Sequence, residues 1–94
     1  MTITKVKIYN YDKNYRIENK LSNNFMCMAD IDIDYDIRVK YIKLFNGNKG
    51  EYLEFPINVK NIFIHHPITD EARELILSTI LNEYNKIIKQ KGKI

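Results

Sequence analysis

The sequence has few of the residues that hold small folds together covalently or carry them into membranes. Its 94 residues include one cysteine, three glycines, two prolines and no tryptophan. A single cysteine excludes an internal disulfide framework and a cysteine-based zinc site. No apolar run approaches the roughly 20 residues that span a bilayer, and the opening MTITKVKIYN lacks the apolar region of a secretory signal. We therefore expect one domain over residues 1–94, cytoplasmic and without a membrane partner.

The charge balance is mild and does not name a ligand. Fifteen Lys and Arg against twelve Asp and Glu give a net charge of +3, too small an excess to identify a nucleic-acid binder by itself. Apolar residues make up 45% of the chain, which is ordinary globular usage. The fold must therefore be held by packing.

Alternation of apolar and polar residues predicts antiparallel strands over most of the first two thirds of the chain. We expect about five strands, at residues 3–9, 25–33, 37–45, 51–55 and 61–65. Alternation places Phe25 with Cys27 on one face of the second strand. It places Tyr41 and Phe45 with Val39 on one face of the third, and Ile42 and Leu44 on the other. Residues 10–24 are rich in Asn, Asp and Ser and read as a loop or a loosely paired hairpin.

Local signals also predict the turns and a long C-terminal amphipathic helix. Asp34-Tyr35-Asp36 and Asn46–Gly50 read as tight connections, and the glycines of the second would supply positive φ angles. Thr69 is a good helix N-cap, and apolar residues then recur at helical spacing as far as Ile88, with Gly92 as a stop. A sheet followed by one long helix is an α+β fold. Leu77 widens the apolar stripe beyond what one sheet face needs, which favours a partner subunit.

Catalytic and metal-binding patterns are weak. Asp30, Asp32 and Asp34 alternate along a strand and could offer oxygen ligands to a divalent ion, but a solvated strand face explains them better. His65 and His66 are adjacent, so on a strand they point to opposite faces and cannot share one metal. Cys27 reads as a small core residue. We expect no enzyme activity, no cofactor, no metal and no small-molecule substrate.

Basic residues on the predicted strands are the one functional signal from residue types alone. Lysines and arginines neutralise phosphates, and tyrosines stack on bases. The alternative is that Lys is a common residue on exposed strands and deters edge-to-edge aggregation. The strand cations are Lys5, Lys7, Arg38, Lys40 and Lys43, with Tyr9, Tyr35 and Tyr41 between them.

The order of several short motifs resembles the SpoVG family of bacterial septation and sporulation regulators. The run ADIDIDYDIRVKYIKLFNGNKGEYLEFP is followed by IHHPIT and then by ILNEY. Matching positions include Ala29, Asp34, Gly47, Pro56 and Pro67, and the helix carries Arg73 and Leu81-Asn82-Glu83-Tyr84 where the family has an arginine and LNEY. The resemblance covers about residues 1–88.

The resemblance implies a small homodimeric regulator that binds DNA, and in some members RNA, and acts in septation or sporulation. We expect the nucleic-acid contacts from Arg38, Lys40, Lys43, Lys60 and Arg73. Two departures bear on this: residues 57–61 are shorter than the family's basic loop, and Lys43 replaces an arginine, so a bidentate fork becomes a point charge. The alternative hypothesis is a protein-interaction module that regulates through a partner without contacting nucleic acid.

Overall fold

The computed structural model describes residues 2–56 and 69–91, which form an antiparallel sheet and two helices. The strands are β1 (Ile3–Tyr9), β2 (Phe25–Ile33), β3 (Ile37–Gly47) and β4 (Gly50–Glu54), and the helices are α1 (Lys13–Glu18) and α2 (Asp70–Lys91). Within the described residues the sheet has four strands in the order β1-β2-β3-β4, whereas about five were expected along the whole chain. The α+β prediction is confirmed, and the predicted strand at residues 61–65 lies outside the described residues.

Helix α2 begins where the sequence predicts and packs across one face of the sheet, the inner face. The Ala72 N–H donates to Thr69 Oγ1 at 3.0 Å, and Asp70 and Glu71 occupy the first turn, where the helix dipole favours acids. Ile76 and Ile80 are fully buried against the sheet. The predicted stop at Gly92 lies outside the described residues. Neither of the described helices is long and apolar enough to cross a membrane.

The main core lies between α2 and the inner face. Burial of these apolar side chains is the main favourable term in the stability of a fold this small. Ile42 and Leu44 are fully buried there, so the expectation that they lie on the opposite face from Val39 is wrong. The core residues are Cys27, Ala29, Ile31, Ile33, Val39, Ile42, Leu44, Ile76 and Ile80.

A β-bulge at Tyr41 is the reason that strict alternation fails along β3. Ile31 pairs with Val39 and Ala29 pairs with Ile42, so Lys40 and Tyr41 together face the single residue Asp30. Tyr41 takes a left-handed φ of 64°. The extra residue reverses the alternation. It returns Ile42 to the inner face and places Phe45 on the outer one.

A second, smaller apolar cluster lies on the outer face, under α1. Helix α1 belongs to the segment 10–24, which was predicted to be a loop or a loosely paired hairpin. Phe25, Met28 and Phe45 are buried together, with Tyr15 and Leu21 packed on them. Phe25 is therefore on the opposite face from Cys27, because a second irregularity in pairing separates these residues. Both corrections have one cause: a one-residue shift in register moves a side chain to the other face.

Helix α1 is short but capped at both ends. The Tyr15 N–H donates to Asp12 Oδ1 at 2.7 Å. At the C-terminus, the Leu21 N–H donates to Arg16 O and the Lys20 N–H to Ile17 O, with Lys20 at a positive φ of 54°. This is a Schellman motif with Lys where Gly is usual. The missing glycine is why the sequence reads as a loop.

The two predicted tight connections are present. In the first, Asp34 and Tyr35 both have positive φ and the Asp36 N–H donates to Ile33 O at 3.1 Å, as in a hairpin turn of the I′ type. In the second, Gly50 has the positive φ. Gly47 is needed for another reason: a Cβ there would lie 2.7 Å from the Tyr52 ring.

Candidate nucleic-acid interface

The outer face of the sheet carries cations in rows across the strands, beside the part that α1 covers. Lys5 pairs with Asp32, which pairs with Arg38. Lys7 pairs with Asp30, which faces Lys40 and Tyr41. Lys43 lies one row further, between Met28 and Glu54. Five cations therefore lie beside three carboxylates, those of Asp30, Asp32 and Glu54, so positive charges outnumber negative ones on this surface. We define the basic face as Lys5, Lys7, Arg38, Lys40 and Lys43.

One arginine of the basic face is held by a neighbouring acid. Arg38 Nε and Nη2 donate to the two carboxylate oxygens of Asp32 at 2.8 and 3.2 Å. The Arg38 side chain remains 55% exposed, so a ligand can still reach it. Its guanidinium lowers the pKa of Asp32, so this carboxylate stays charged at neutral pH. Asp32 therefore orients Arg38 and also reduces the charge that Arg38 presents.

A single carboxylate, Asp30, organises the middle of the basic face. Its Oδ1 accepts the Tyr9 hydroxyl at 2.7 Å and the Tyr41 N–H at 3.0 Å. Burial and the hydrogen bond to Asp30 raise the pKa of the Tyr9 phenol, so Tyr9 stays protonated and donates. The Tyr41 bond fixes the backbone of the bulge. Asp30 therefore has a positioning role that the sequence does not indicate.

Two tyrosines are exposed beside the cations, both with left-handed backbone. Tyr35 is 91% exposed at the β2–β3 turn and Tyr41 is 53% exposed at the bulge. The Tyr35 N–H donates to Thr4 Oγ1 at 3.1 Å, which fixes the turn against β1. Positive φ is unfavourable for a large side chain and is often retained at functional positions. Tyr9, the third tyrosine noted in the sequence, points its hydroxyl at Asp30.

The structure brings three of the five predicted site residues together. Arg38, Lys40 and Lys43 lie on the outer face of β3. Arg73 is exposed on α2, which packs on the inner face, and Lys60 lies outside the described residues. Lys5 and Lys7 were not assigned to the site, because only the β1–β2 register places them beside Arg38 and Lys40. Glu54, opposite Lys43, was also missed.

The three aspartates considered as metal ligands all accept hydrogen bonds from other groups of the chain. Asp30 and Asp32 are bound as described, and Asp34 Oδ1 accepts the Thr2 N–H at 2.8 Å. Within residues 2–56 and 69–91, no three His, Cys, Asp or Glu side chains are grouped to hold a metal. Burial raises the pKa of the Cys27 thiol to about 12, as fits a core residue. His65 and His66 lie outside the described residues.

The sequence is similar to known proteins along most of its length. The sequence model of the family described as SpoVG matches residues 1–86. A SpoVG septation protein of Finegoldia magna is 31% identical over 98 aligned residues, covering all of this chain and 83% of the relative. One from Archaeoglobus fulgidus is 27% identical, over 89% of this chain and 94% of the relative. One from Anaeromyxobacter sp. strain K is 28% identical, over 98% of this chain and 86% of the relative. The chain belongs to the SpoVG family.

Proposed function

We propose that this chain is a homodimeric regulator that binds DNA or RNA through the basic face and acts in septation or sporulation. The link to septation comes from the names of its relatives. The observation that carries the binding proposal is the gathering of five cations from β1 and β3 on a part of the sheet that neither described helix covers. A surface of this kind attracts phosphates without reading sequence.

The dimensions of the basic face suit a nucleic-acid backbone. Arg38 and Lys43 are five positions apart on β3, which is about 15 Å of strand. Each strand of a duplex carries one phosphate for about 3.4 Å of helix axis, so several phosphates fall within reach of this stretch. Tyr35 lies at the β2–β3 turn beyond one end of this stretch and Tyr41 lies within it, and both offer stacking surfaces for unpaired bases.

We expect modest sequence specificity. The exposed side chains of α2 mix Glu71 and Glu74 with Arg73, and α2 lies against the inner face of the sheet. A recognition helix in a major groove instead presents its side chains to base edges. Binding therefore rests mainly on phosphate contacts, and base contacts come from the strands.

The direct test is fluorescence anisotropy of labelled DNA and RNA oligonucleotides across a salt series. If all five cations meet phosphates, the slope of log affinity against log salt should approach about −4.5 per protomer on duplex DNA, at about −0.9 for each contact. We expect slopes between about −2 and −4.5. Absence of binding at low salt would reject the proposal, and a stoichiometric protein partner recovered without nucleic acid would support the interaction-module alternative.

The dimer part of the proposal rests on α2. Its apolar side chains at positions 77, 81, 84 and 88 recur at spacings of four, three and four residues, the pattern of a helix–helix seam. Leu77, Leu81 and Tyr84 are only partly buried by the core, and Ile88 is 41% exposed. Light scattering at micromolar protein should give twice the chain mass of 11.2 kDa; a monomer mass would refute the dimer.

A further inference from the structure

A cavity on the outer face lies at the end of the basic face, between the Tyr41 bulge and the end of β4. Its volume is about 320 Å³, at the lower end of the range for small-ligand sites, roughly 300–1,000 Å³. Aromatic, apolar and charged side chains share its wall. The lining residues are Tyr15, Met28, Tyr41, Lys43, Glu54, Phe55 and Pro56.

The charged groups of this cavity are one cation and one carboxylate on adjacent strands. Lys43 on β3 and Glu54 on β4 are register partners, yet within the described part of the chain no ion pair joins them. Lys43 is partly buried and Glu54 is exposed. Lysine only donates hydrogen bonds, and an ionised carboxylate only accepts them. A ligand that satisfies both must present an acceptor beside donors.

The bulge directs an aromatic ring to this cavity. Without the extra residue, regular alternation would place residue 41 on the inner face with Val39. With it, Tyr41 lies on the same side as Lys40 and lines the cavity with Lys43. The backbone there has positive φ and is held by the bond to Asp30. Bulges commonly re-aim a side chain beside a binding site. Tyr15 on α1 supplies a second ring to the wall.

We propose that this cavity binds one unpaired base of a single-stranded nucleic acid and that it prefers guanine. This inference rests on the proposed function, because the neighbouring cations must hold the strand. A flat base packs between the Tyr41 ring and the apolar wall of Met28 and Pro56. Guanine alone presents two adjacent donors, N1–H and N2–H, to a carboxylate, with the O6 acceptor beside them for a lysine. Glu54 takes the two donors and Lys43 takes O6.

The other bases fit this pair of groups less well. Adenine and cytosine offer Glu54 one amino group but place a ring-nitrogen acceptor beside it, and thymine and uracil offer a single N–H between two carbonyls. Each leaves part of the carboxylate unsatisfied, which reduces affinity. The cavity therefore predicts a ranking with guanine first and thymine or uracil last.

The test uses thymidine oligomers of 12 residues with one central guanine, inosine, adenine or thymine. Native protein should bind the guanine oligomer about tenfold more tightly than the all-thymine oligomer, within the range for a bidentate base contact. Inosine, which lacks the N2 amino group, should lose most of this preference. Glu54→Gln should reduce the guanine-to-thymine ratio below about threefold, because an amide replaces one acceptor oxygen by a donor.

The readout is the ratio of the affinities for the guanine and the all-thymine oligomers. Either affinity alone would not serve, because Glu54→Gln also removes a negative charge and so alters the binding of every oligomer. Glu51→Gln is the matched control: it has the same charge change on the same strand, opposite Asn46 and outside the cavity. It should leave the ratio unchanged. Tyr41→Gly keeps the positive φ accessible and removes the ring, and it should weaken binding of the guanine oligomer about five- to hundredfold.

The outcomes separate this inference from the proposed function. Salt-sensitive binding of all oligomers with equal affinity, and with a guanine-to-thymine ratio that Glu54→Gln does not change, would overturn the base site but not the phosphate-binding surface. Failure of every oligomer to bind at low salt would overturn both. Guanosine monophosphate should compete only at much higher concentration than the oligomer, since it lacks the neighbouring phosphates. Competition at equal concentration would overturn the assignment to a strand.

Discussion

Replacing Ile80 by alanine should lower the free energy of unfolding by about 2–5 kcal/mol, the usual cost of emptying a buried aliphatic site. Ile80 is fully buried and, with Ile76, forms the part of α2 that enters the main core. The alanine would leave a cavity in the main core. Domains of this size have only about 5–15 kcal/mol of stability in total. The loss should be visible as a lower urea midpoint with an unchanged slope.

The matched control is Leu75→Ala on the same helix. Leu75 is 41% exposed and lies a quarter turn or more from Ile76 around the helix axis, so truncation there removes much less buried area. Its cost should stay below about 1 kcal/mol. Equal losses from the two substitutions would mean that α2 packs on the sheet through a different face from the one described.

Reversing the charges of Lys40 and Lys43 together, as Lys40→Glu and Lys43→Glu, should weaken oligonucleotide binding by more than about tenfold. Both side chains lie on the outer face of β3, and neither belongs to the main core, so circular dichroism and the urea midpoint should change little. On duplex DNA, where no unpaired base engages Lys43, removing two phosphate contacts should also reduce the salt slope by about 2. The measurement is the anisotropy salt series described above.

Lys86→Glu with Lys89→Glu is the control of equal charge. Both lysines are exposed on α2, which packs on the inner face of the sheet. This control should keep most of the affinity. If it weakens binding as much as the β3 pair does, binding depends on net charge or on the helix end, and the basic face loses its role.

A third variant should act in the opposite direction. Asp32→Asn removes the acceptor that holds Arg38 in a bidentate pair and adds one unit of positive charge to the basic face. Arg38 can then give its fork to a phosphate. We expect about threefold tighter binding and a slightly steeper salt slope, whereas Glu74→Gln on α2 should change neither.

The parts of the fold that follow local rules were predictable from the sequence. β1 and β2 have the bounds that alternation indicates, and α2 starts at the cap that Thr69 supplies. Helix α1 was missed because its C-terminal cap uses Lys20 at positive φ, and a lysine carries no such signal. The faces of β3 were predicted wrongly from Tyr41 onward, because both alternating sets of residues in YIKLF are apolar enough to be taken for the inner face. The residue types in such a run do not indicate where a bulge will occur.

Most strands and turns, the long helix and membership of the SpoVG family were therefore predictable, since these depend on residues close along the chain and on motif order. Which cations share a surface and which residues line the cavity could be learned only from the folded chain. Lys5 and Lys7 meet Arg38 and Lys40 through the register of β1 with β2. Tyr41 reaches the side of Lys43 and Glu54 through a one-residue bulge held by Asp30. Register and bulges are set by packing between distant segments, because a shift of one residue exchanges the buried and exposed faces of a strand.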